Sequence, residues 1–329
     1  MSARHRHDNR RSAGRWPDPG PGEPPYSGPM HTAVAALRAN RTGLWTPALE
    51  ALPGPAAQEA ARQIEDLGYG SLWYGEAYGR ESFTAAQALL AATERLVVGT
   101  GIANIYARGA MAANGAIRLI ESLAPGRFVV GLGVSHQRPL ERDRKVTYRP
   151  PLAAMAEYLD DLDSAPYFGA DAVRPPIVLA ALGPKMLELA RDRTAGAHPY
   201  LVTPEHTATA RRTLGPGPLL VVEQAAVLGQ DRAESLRRAH DHLTIYTGLP
   251  NYRNSWLRLG FTEEDFVRGG SERLADALVV QGDEAAVAAR VRQHLDAGAD
   301  HVLLQVLGTD LGQVPMDEWR SLAPVVAGL

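Results

Sequence analysis

From Thr42 onward, short apolar runs alternate with amphipathic stretches, and the alternation occurs eight times. The runs fall at residues 42–46, 71–75, 96–102, 127–133, 177–181, 198–202, 219–227 and 301–307. Each is apolar enough to be buried on both faces, as parallel strands are. Between them, apolar residues recur at helical spacing. Ala57, Ala60, Ala61, Ile64 and Leu67 form one helical face, and Gly68 stops the helix before Ser71-Leu72-Trp73 opens a strand. Val287, Val291 and Leu295 repeat the pattern, with Gly298 as the stop and His301-Val302-Leu303-Leu304 as the strand that follows. Asp231 and Glu234 have the spacing of a capping box, which starts a helix just after the seventh strand.

Eight such units, each crossing over right-handed, close into a (β/α)8 TIM barrel. A doubly wound open sheet is the rival architecture. Its Gly-rich turn after the first strand is missing, because Trp45-Thr46-Pro47 stands there instead. Two connections are long, 134–176 and 228–300, and long insertions in such folds tend to sit beside the site.

Residues 1–40 break the pattern. Arg4, Arg6, Arg10, Arg11 and Arg15 precede a run of prolines and glycines that buries too little apolar surface to offset its ordering entropy. The expected organisation is therefore a disordered tail over 1–40 and one barrel over 41–329. Arg10-Arg11 resembles a twin-arginine export signal, but the apolar stretch such a signal needs does not follow. A start of translation at Met30 would account for the tail equally well.

Composition narrows the partners. Charged residues make up 22% of the 329, the formal net charge is −3, and Lys occurs only at Lys145 and Lys185. Neither nucleic acid nor an anionic membrane is implied by that balance, and no apolar window is long enough to span a bilayer. The chain has no Cys, which removes disulfides and thiolate chemistry and suits a reducing cytoplasm. No His-x-His pair follows the first strand, so no metal site is expected. Ser135 lies outside any nucleophile elbow.

In a barrel the informative residues follow the strands. Glu76, after the second, is either an acid, base or orienting group or a solvated loop carboxylate. Gly99 and Gly101 at the third strand's end mark a bulge, with or without a ligand against its backbone. His136, past the fourth, is either placed for proton transfer or a surface hydrogen-bonding residue. Gly183-Pro184-Lys185, past the fifth, is either a tight turn or an anion seat at a helix N-terminus. His198 and Gln305 lie in strands, facing either the barrel interior or the helices. Tyr106 and Arg108 are pocket-lining candidates.

Three stretches together, Gly99-Thr100-Gly101-Ile102-Ala103-Asn104, Gly126-Arg127-Phe128-Val129-Val130-Gly131-Leu132-Gly133-Val134-Ser135-His136 and Leu179-Ala180-Ala181-Leu182-Gly183-Pro184-Lys185-Met186-Leu187, resemble the bacterial luciferase-like superfamily. The likeness is greatest to its branch that uses the deazaflavin coenzyme F420, and it covers about residues 41–329. The resemblance implies a bulge with a cis Gly101-Ile102 peptide, and a cofactor ring on Thr100, Gly101, Ile102, Ala103 and Asn104. It further implies that Gly133, Val134 and Ser135 lie near the reacting edge, with the phosphate at Leu182, Gly183, Pro184 and Lys185. The sugar-phosphate dehydrogenase branch carries a His after strand two and a Glu after strand four, whereas this chain has Glu76 and His136.

The expected activity is hydride transfer between a deazaflavin and a small organic substrate, with His136 as the proton carrier, Glu76 as a second catalytic residue, and Trp45 and Tyr106 walling the substrate side. The alternative keeps the fold and uses FMN, as a monooxygenase supplied with reduced flavin by a partner reductase. An isomerase or lyase without redox cofactor and a non-catalytic binding barrel are further rivals. The alanine-rich face of 110–116 is a candidate homodimer contact, and ordinary packing explains it equally well.

Overall fold

In the computed structural model, residues 31–170, 173–229, 231–267, 269–308, 313–326 and 329 are described. The strands are β1 (Thr42–Trp45), β2 (Ser71–Tyr74), β3 (Val97–Thr100), β4 (Ala103–Asn104) and β5 (Phe128–Gly133). They continue with β6 (Ile177–Leu179), β7 (Gly196–Ala197), β8 (Leu219–Leu228), β9 (Val279–Gly282) and β10 (His301–Val306). The helices are α1 (Thr32–Ala39), α2 (Gly54–Asp66), α3 (Ser82–Leu90), α4 (Ala110–Leu123), α5 (Gln137–Arg142), α6 (Pro151–Ser164) and α7 (Pro184–Arg193). After them come α8 (Pro204–Leu214), α9 (Arg232–Tyr246), α10 (Pro250–Arg258), α11 (Glu272–Leu278), α12 (Glu284–Asp296) and α13 (Met316–Val326).

The sheet closes on itself. In parallel pairs the order runs β10, β1, β2, β3, β5, β6, β7, β8, and β8 pairs back to β10. This is the expected eight-staved barrel, with β3 and β4 sharing one stave. Alternation of side chains across each strand explains why the runs read as continuously apolar. Trp45, Trp73, Val97, Val129, Val178, Leu219, Val221 and Leu303 pack inside the barrel. Their neighbours Leu44, Leu72, Val98, Val130, Leu220 and Leu304 face outward into the helix layer. Gly99 leaves room for the indole opposite, since a Cβ there would lie 2.3 Å from Trp73 Cδ2.

Four expectations are corrected. The tail was expected to run to residue 40, yet residues 32–39 form α1, whose Ala33, Val34 and Leu37 are buried against the barrel interior. Leu37 also lends its carbonyl to His301 Nδ1 at 3.1 Å. Apolar spacing within an Arg- and Pro-rich context was enough for a plug. The remainder of that expected tail, residues 1–30, lies outside the described residues.

The sixth strand was expected at 198–202 but ends at Ala197. Pro199 has no N–H to continue a ladder, and Leu201 turns the chain with φ +52°. The third run was expected to be unbroken over 96–102, and it divides at Gly101 and Ile102. Last, β9 lies inside the 228–300 connection, where no strand was expected. It pairs with the outer end of the ten-residue β8, which overruns the barrel and offers an open edge.

The helix boundaries follow the local signals. Gly68 (φ +88°) and Gly298 (φ +102°) end α2 and α12. The Asp231 side chain caps α9 through Ala233 N and Glu234 N, while Glu234 pairs with Arg237 rather than completing the expected box. Among the described residues no helix is long and apolar enough to cross a membrane, and no cluster of His, Asp and Glu has a metal-binding arrangement.

Candidate active site

At the end of β3 the backbone makes a step. The Gly101-Ile102 peptide is cis, as the family resemblance implied, and the chain then resumes as β4 with Asn104 in register with Gly133 of β5. The Thr100 hydroxyl covers the step by donating to the Gly131 carbonyl at 2.8 Å and accepting from Gly131 N at 2.9 Å. Thr100 is thus fully buried and stitches strands together. Trp45 Nε1 donates to the Gly101 carbonyl at 2.8 Å.

Two glycines let neighbouring side chains pack directly on the backbone of the step. A Cβ on Gly101 would lie 2.5 Å from Trp45 Nε1 and 2.9 Å from His198 Nε2, and one on Gly133 would lie 2.5 Å from Ile102 Cγ1. Gly101 and Ile102 keep partial exposure, while Ala103 and Asn104 are buried. The tips of the third and fourth staves therefore pair directly and share one face.

Glu76 is held by its neighbours. It accepts from Asn104 N at 2.8 Å and Ser82 N at 3.2 Å, and it is ion-paired to Arg108. Arg108 in turn reaches Glu81 at 2.7 Å and lies over the Phe83 ring. Of the roles expected for Glu76, this geometry supports orienting: it clamps the β4 backbone, and its carboxylate is already engaged. Tyr106 is not brought together with Trp45. Its hydroxyl accepts from Arg149 N at 3.4 Å, and it lines a crevice beside α6 with Tyr158 and Glu157.

Past β5, Val134 and Ser135 are half-buried, and Ser135 adopts φ +56°, which turns the chain so that His136 starts α5. The His136 ring lies 6.0 Å from that of Tyr252. Burial pushes its pKa below the ordinary 6.5. Its imidazole makes no hydrogen bond with a described residue, while its carbonyl accepts from Leu140 N.

The fifth stave leads into α7 with Gly183 as N-cap and Pro184 in the first turn, as expected. Leu187 N returns to the Gly183 carbonyl, so Lys185 N and Met186 N are left pointing out of the helix start, the arrangement that attracts anions. Pro184 and Lys185 are exposed. The Leu182 carbonyl is occupied by His206 Nε2 at 3.0 Å and by an Arg258 guanidinium N at 3.2 Å. Arg258, on α10, is a second cation at this turn that the sequence did not reveal, since 75 residues separate it from Gly183.

His198 and Gln305, whose facing was open, both point into the barrel. His198 Nδ1 bonds the Val221 carbonyl at 3.0 Å, while Nε2 is buried without a partner among the described residues. Burial pushes its pKa down to about 4, so the imidazole is neutral. Beside it in the top layer stands Glu223, fully buried, with Oε2 accepting from Leu201 N at 2.9 Å and Oε1 unpartnered. Burial pushes that carboxyl up to about 8. Glu223 was missed, although an acidic residue inside Leu219-Leu220-Val221-Val222-Glu223 is a legible signal.

Above this layer Tyr200 donates to Gln305 Oε1 at 2.7 Å and accepts from the Tyr246 hydroxyl at 3.1 Å. Tyr200 packs 5.3 Å from Trp45, and Tyr252 lies 5.0 Å from Tyr246. Tyr246 and Tyr252 come from the long second insertion, which thus does sit beside the mouth, but periodicity alone gave no means of placing them there.

The chain resembles known proteins in both sequence and fold. It is 24% identical over 255 residues to a protein provisionally named a coenzyme F420-dependent oxidoreductase of Mycobacterium tuberculosis, covering 62% of this chain and 73% of that protein. Its fold is similar to that of an F420-dependent secondary alcohol dehydrogenase in complex with an F420-acetone adduct, with a TM-score of 0.65 at 14% identity over 87% of this chain and 99% of that one. It is also similar to EDTA monooxygenase from Chelativorans sp. BNC1, with a TM-score of 0.67 at 11% identity over 88% of this chain and 93% of that one. The sequence profile of the luciferase-like monooxygenase family matches residues 30–301, which include the plug and the backbone step and reach the start of β10, and the chain belongs to that family.

Proposed function

We propose that this protein is an oxidoreductase that holds coenzyme F420 at the barrel mouth and acts on a small organic substrate. One observation carries the reading: three consecutive staves present, side by side, a backbone step at Gly101 and Ile102 that keeps partial exposure and an anion-ready helix start flanked by Lys185 and Arg258. A flat ring and a phosphate are the two things such a pair accommodates. The unpartnered His198 Nε2 beneath the step fits a polar ring edge equally well. The relative from Mycobacterium tuberculosis favours the deazaflavin over FMN.

When bound, the deazaflavin supplies a ring carbon that gives or takes a hydride, which is two electrons with one proton. The chain supplies the rest. Gly101 and Ile102 would hold the ring, and the Glu76–Arg108 clamp keeps β4 in place. Lys185, Arg258 and the free N–H groups of α7 would hold the phosphate. The His136 imidazole, neutral at pH 7 and without a hydrogen bond to a described residue, takes the proton that a substrate loses on oxidation and returns it on reduction. Tyr252 packs beside the His136 ring with Trp256 behind it, and these two buried residues keep water from that side of it.

The test is a titration of the purified protein with oxidised F420 and with FMN, followed by ligand fluorescence. Micromolar F420 binding is expected. Binding of FMN alone replaces this reading with a flavin-dependent monooxygenase served by a reductase, and binding of neither removes the redox reading altogether.

A further inference from the structure

We infer that the mouth beside β7, β8 and β10 is a binding site for an uncharged, flat organic molecule bearing a carbonyl or alcohol oxygen, which the Tyr200 hydroxyl selects. This names the substrate class for the oxidoreductase reading and rests on that reading for the chemistry that follows binding.

The walls are aromatic. Tyr200 lies 5.3 Å from Trp45, 5.6 Å from Tyr246, 6.4 Å from Tyr252 and 6.5 Å from His242, ring centre to ring centre. Tyr200, His242 and Tyr246 keep partial exposure, whereas Tyr252 is buried and forms the floor. Trp45 links this cluster to the backbone step, because its indole nitrogen is bonded to the Gly101 carbonyl. A molecule lying on these rings therefore meets the same strand tips as the proposed cofactor. Ring faces of this kind favour planar ligands through offset and edge contacts.

Among the described residues of these walls, none carries a charge at pH 7. Burial keeps the phenols protonated, with Tyr246 pushed up to about 12 and Tyr200 and Tyr252 raised well above the ordinary 10. His242 is pushed down to about 4 and is neutral. Glu223, whose charge would be felt by all three phenols, is itself a neutral carboxylic acid at pH 7. A carboxylate or ammonium entering this cluster loses hydration without gaining a counter-ion, whereas a neutral molecule does not.

The hydroxyl relay supplies the polar contact. As the structure stands, Tyr246 donates to Tyr200 and Tyr200 donates to Gln305 Oε1. His242 Nε2 lies 3.5 Å from the same oxygen; with its proton on Nδ1 that imidazole does not donate there, and the remaining Tyr200 lone pair accepts from an alcohol. If the Gln305 amide turns over, its Nε2–H donates to Tyr200, whose own proton then points out to a carbonyl oxygen. One hydroxyl thus serves both members of a carbonyl/alcohol pair, which differ by one hydride and one proton.

The experiment uses ligand-observed NMR on the full-length protein with acetophenone, 1-phenylethanol and benzoate, three molecules of similar size. The two neutral probes are expected to bind at least tenfold more tightly than benzoate. Tyr200→Phe is expected to weaken acetophenone about fivefold, as loss of one hydrogen bond does, with deazaflavin affinity, read from the cofactor's own absorbance, unchanged. Benzoate binding as tightly as acetophenone overturns the site, and so does an unaltered acetophenone affinity in a folded Tyr200→Phe variant. Neutral preference retained in a protein that does not bind the deazaflavin overturns the cofactor reading and leaves the site standing.

Discussion

The indole nitrogen of Trp45 is bonded to the carbonyl of Gly101 at 2.8 Å, so the tip of β1 is fastened over β2 to the step between β3 and β4. This bond unites the two surfaces of the mouth. The carbonyl belongs to the backbone step, and the ring that holds it is a wall of the phenol cluster.

Trp45→Phe keeps a ring in place and removes the donor. The expected loss is about 1 kcal/mol of stability, seen as a lower midpoint in urea, together with weaker deazaflavin binding because the step is no longer pinned. Equal midpoints and equal affinities in the two proteins would show that the bond organises nothing.

For His136 the direction of the pKa shift sets the pH profile. Burial penalises the imidazolium, so the value falls below 6.5 and the side chain is an acceptor at neutral pH. The rate of substrate oxidation is therefore expected to be flat near pH 7 and to decline on acidification below 6.5. His136→Gln should lower kcat by about a hundredfold or more and flatten that acid limb, with cofactor affinity retained. A variant with wild-type kcat removes His136 from the chemistry.

Glu223 gives stability a pH dependence of opposite sign. Its folded value of about 8 lies above the ordinary 4.5, so the folded state retains a proton that the unfolded chain releases. The stabilisation is complete below pH 4.5 and declines as pH rises to about 8, above which the curve is level again. Buried His198 and His242, both near 4, act the other way, since stability falls as pH drops from 6.5. Glu223→Gln can still accept from Leu201 N. The urea midpoint of this variant relative to wild type should therefore rise between pH 5 and pH 8, and parallel midpoints across that range would contradict the assignment.

Lys185→Ala and Arg258→Ala should each weaken deazaflavin binding about tenfold, or about 1.4 kcal/mol, more in dilute salt than at high ionic strength. Binding of the two variants can be compared at low and high NaCl. A salt-independent affinity equal to wild type in both would move the phosphate elsewhere.

Much of the architecture is written locally along the chain. Strands buried on both faces read as unbroken apolar runs, and helices read as a recurring face that stops at Gly68 or Gly298; neither signal needs knowledge of distant residues. The bulge at Gly101 and the helix start at Pro184 belong to the same class, because each depends on neighbours in sequence. Short elements defeated the pattern where context ruled them: α1 is helical because the barrel offers Leu37 a place to bury, and β9 exists because β8 overruns its neighbours.

The site itself is a matter of closure. Glu76 reads as a loop carboxylate until Arg108, thirty-two residues away, is folded against it. Arg258 means nothing until α10 is laid beside Leu182. Trp45, Tyr200, Tyr246 and Gln305 come from four separate parts of the chain, and their shared mouth arises because β10 pairs with β1 and β8 and so brings both ends of the barrel sequence together. Local composition specifies which segments become staves and helices. Which side chains meet is set by the ring that long-range pairing closes, and that ring is also what makes Glu223 neutral.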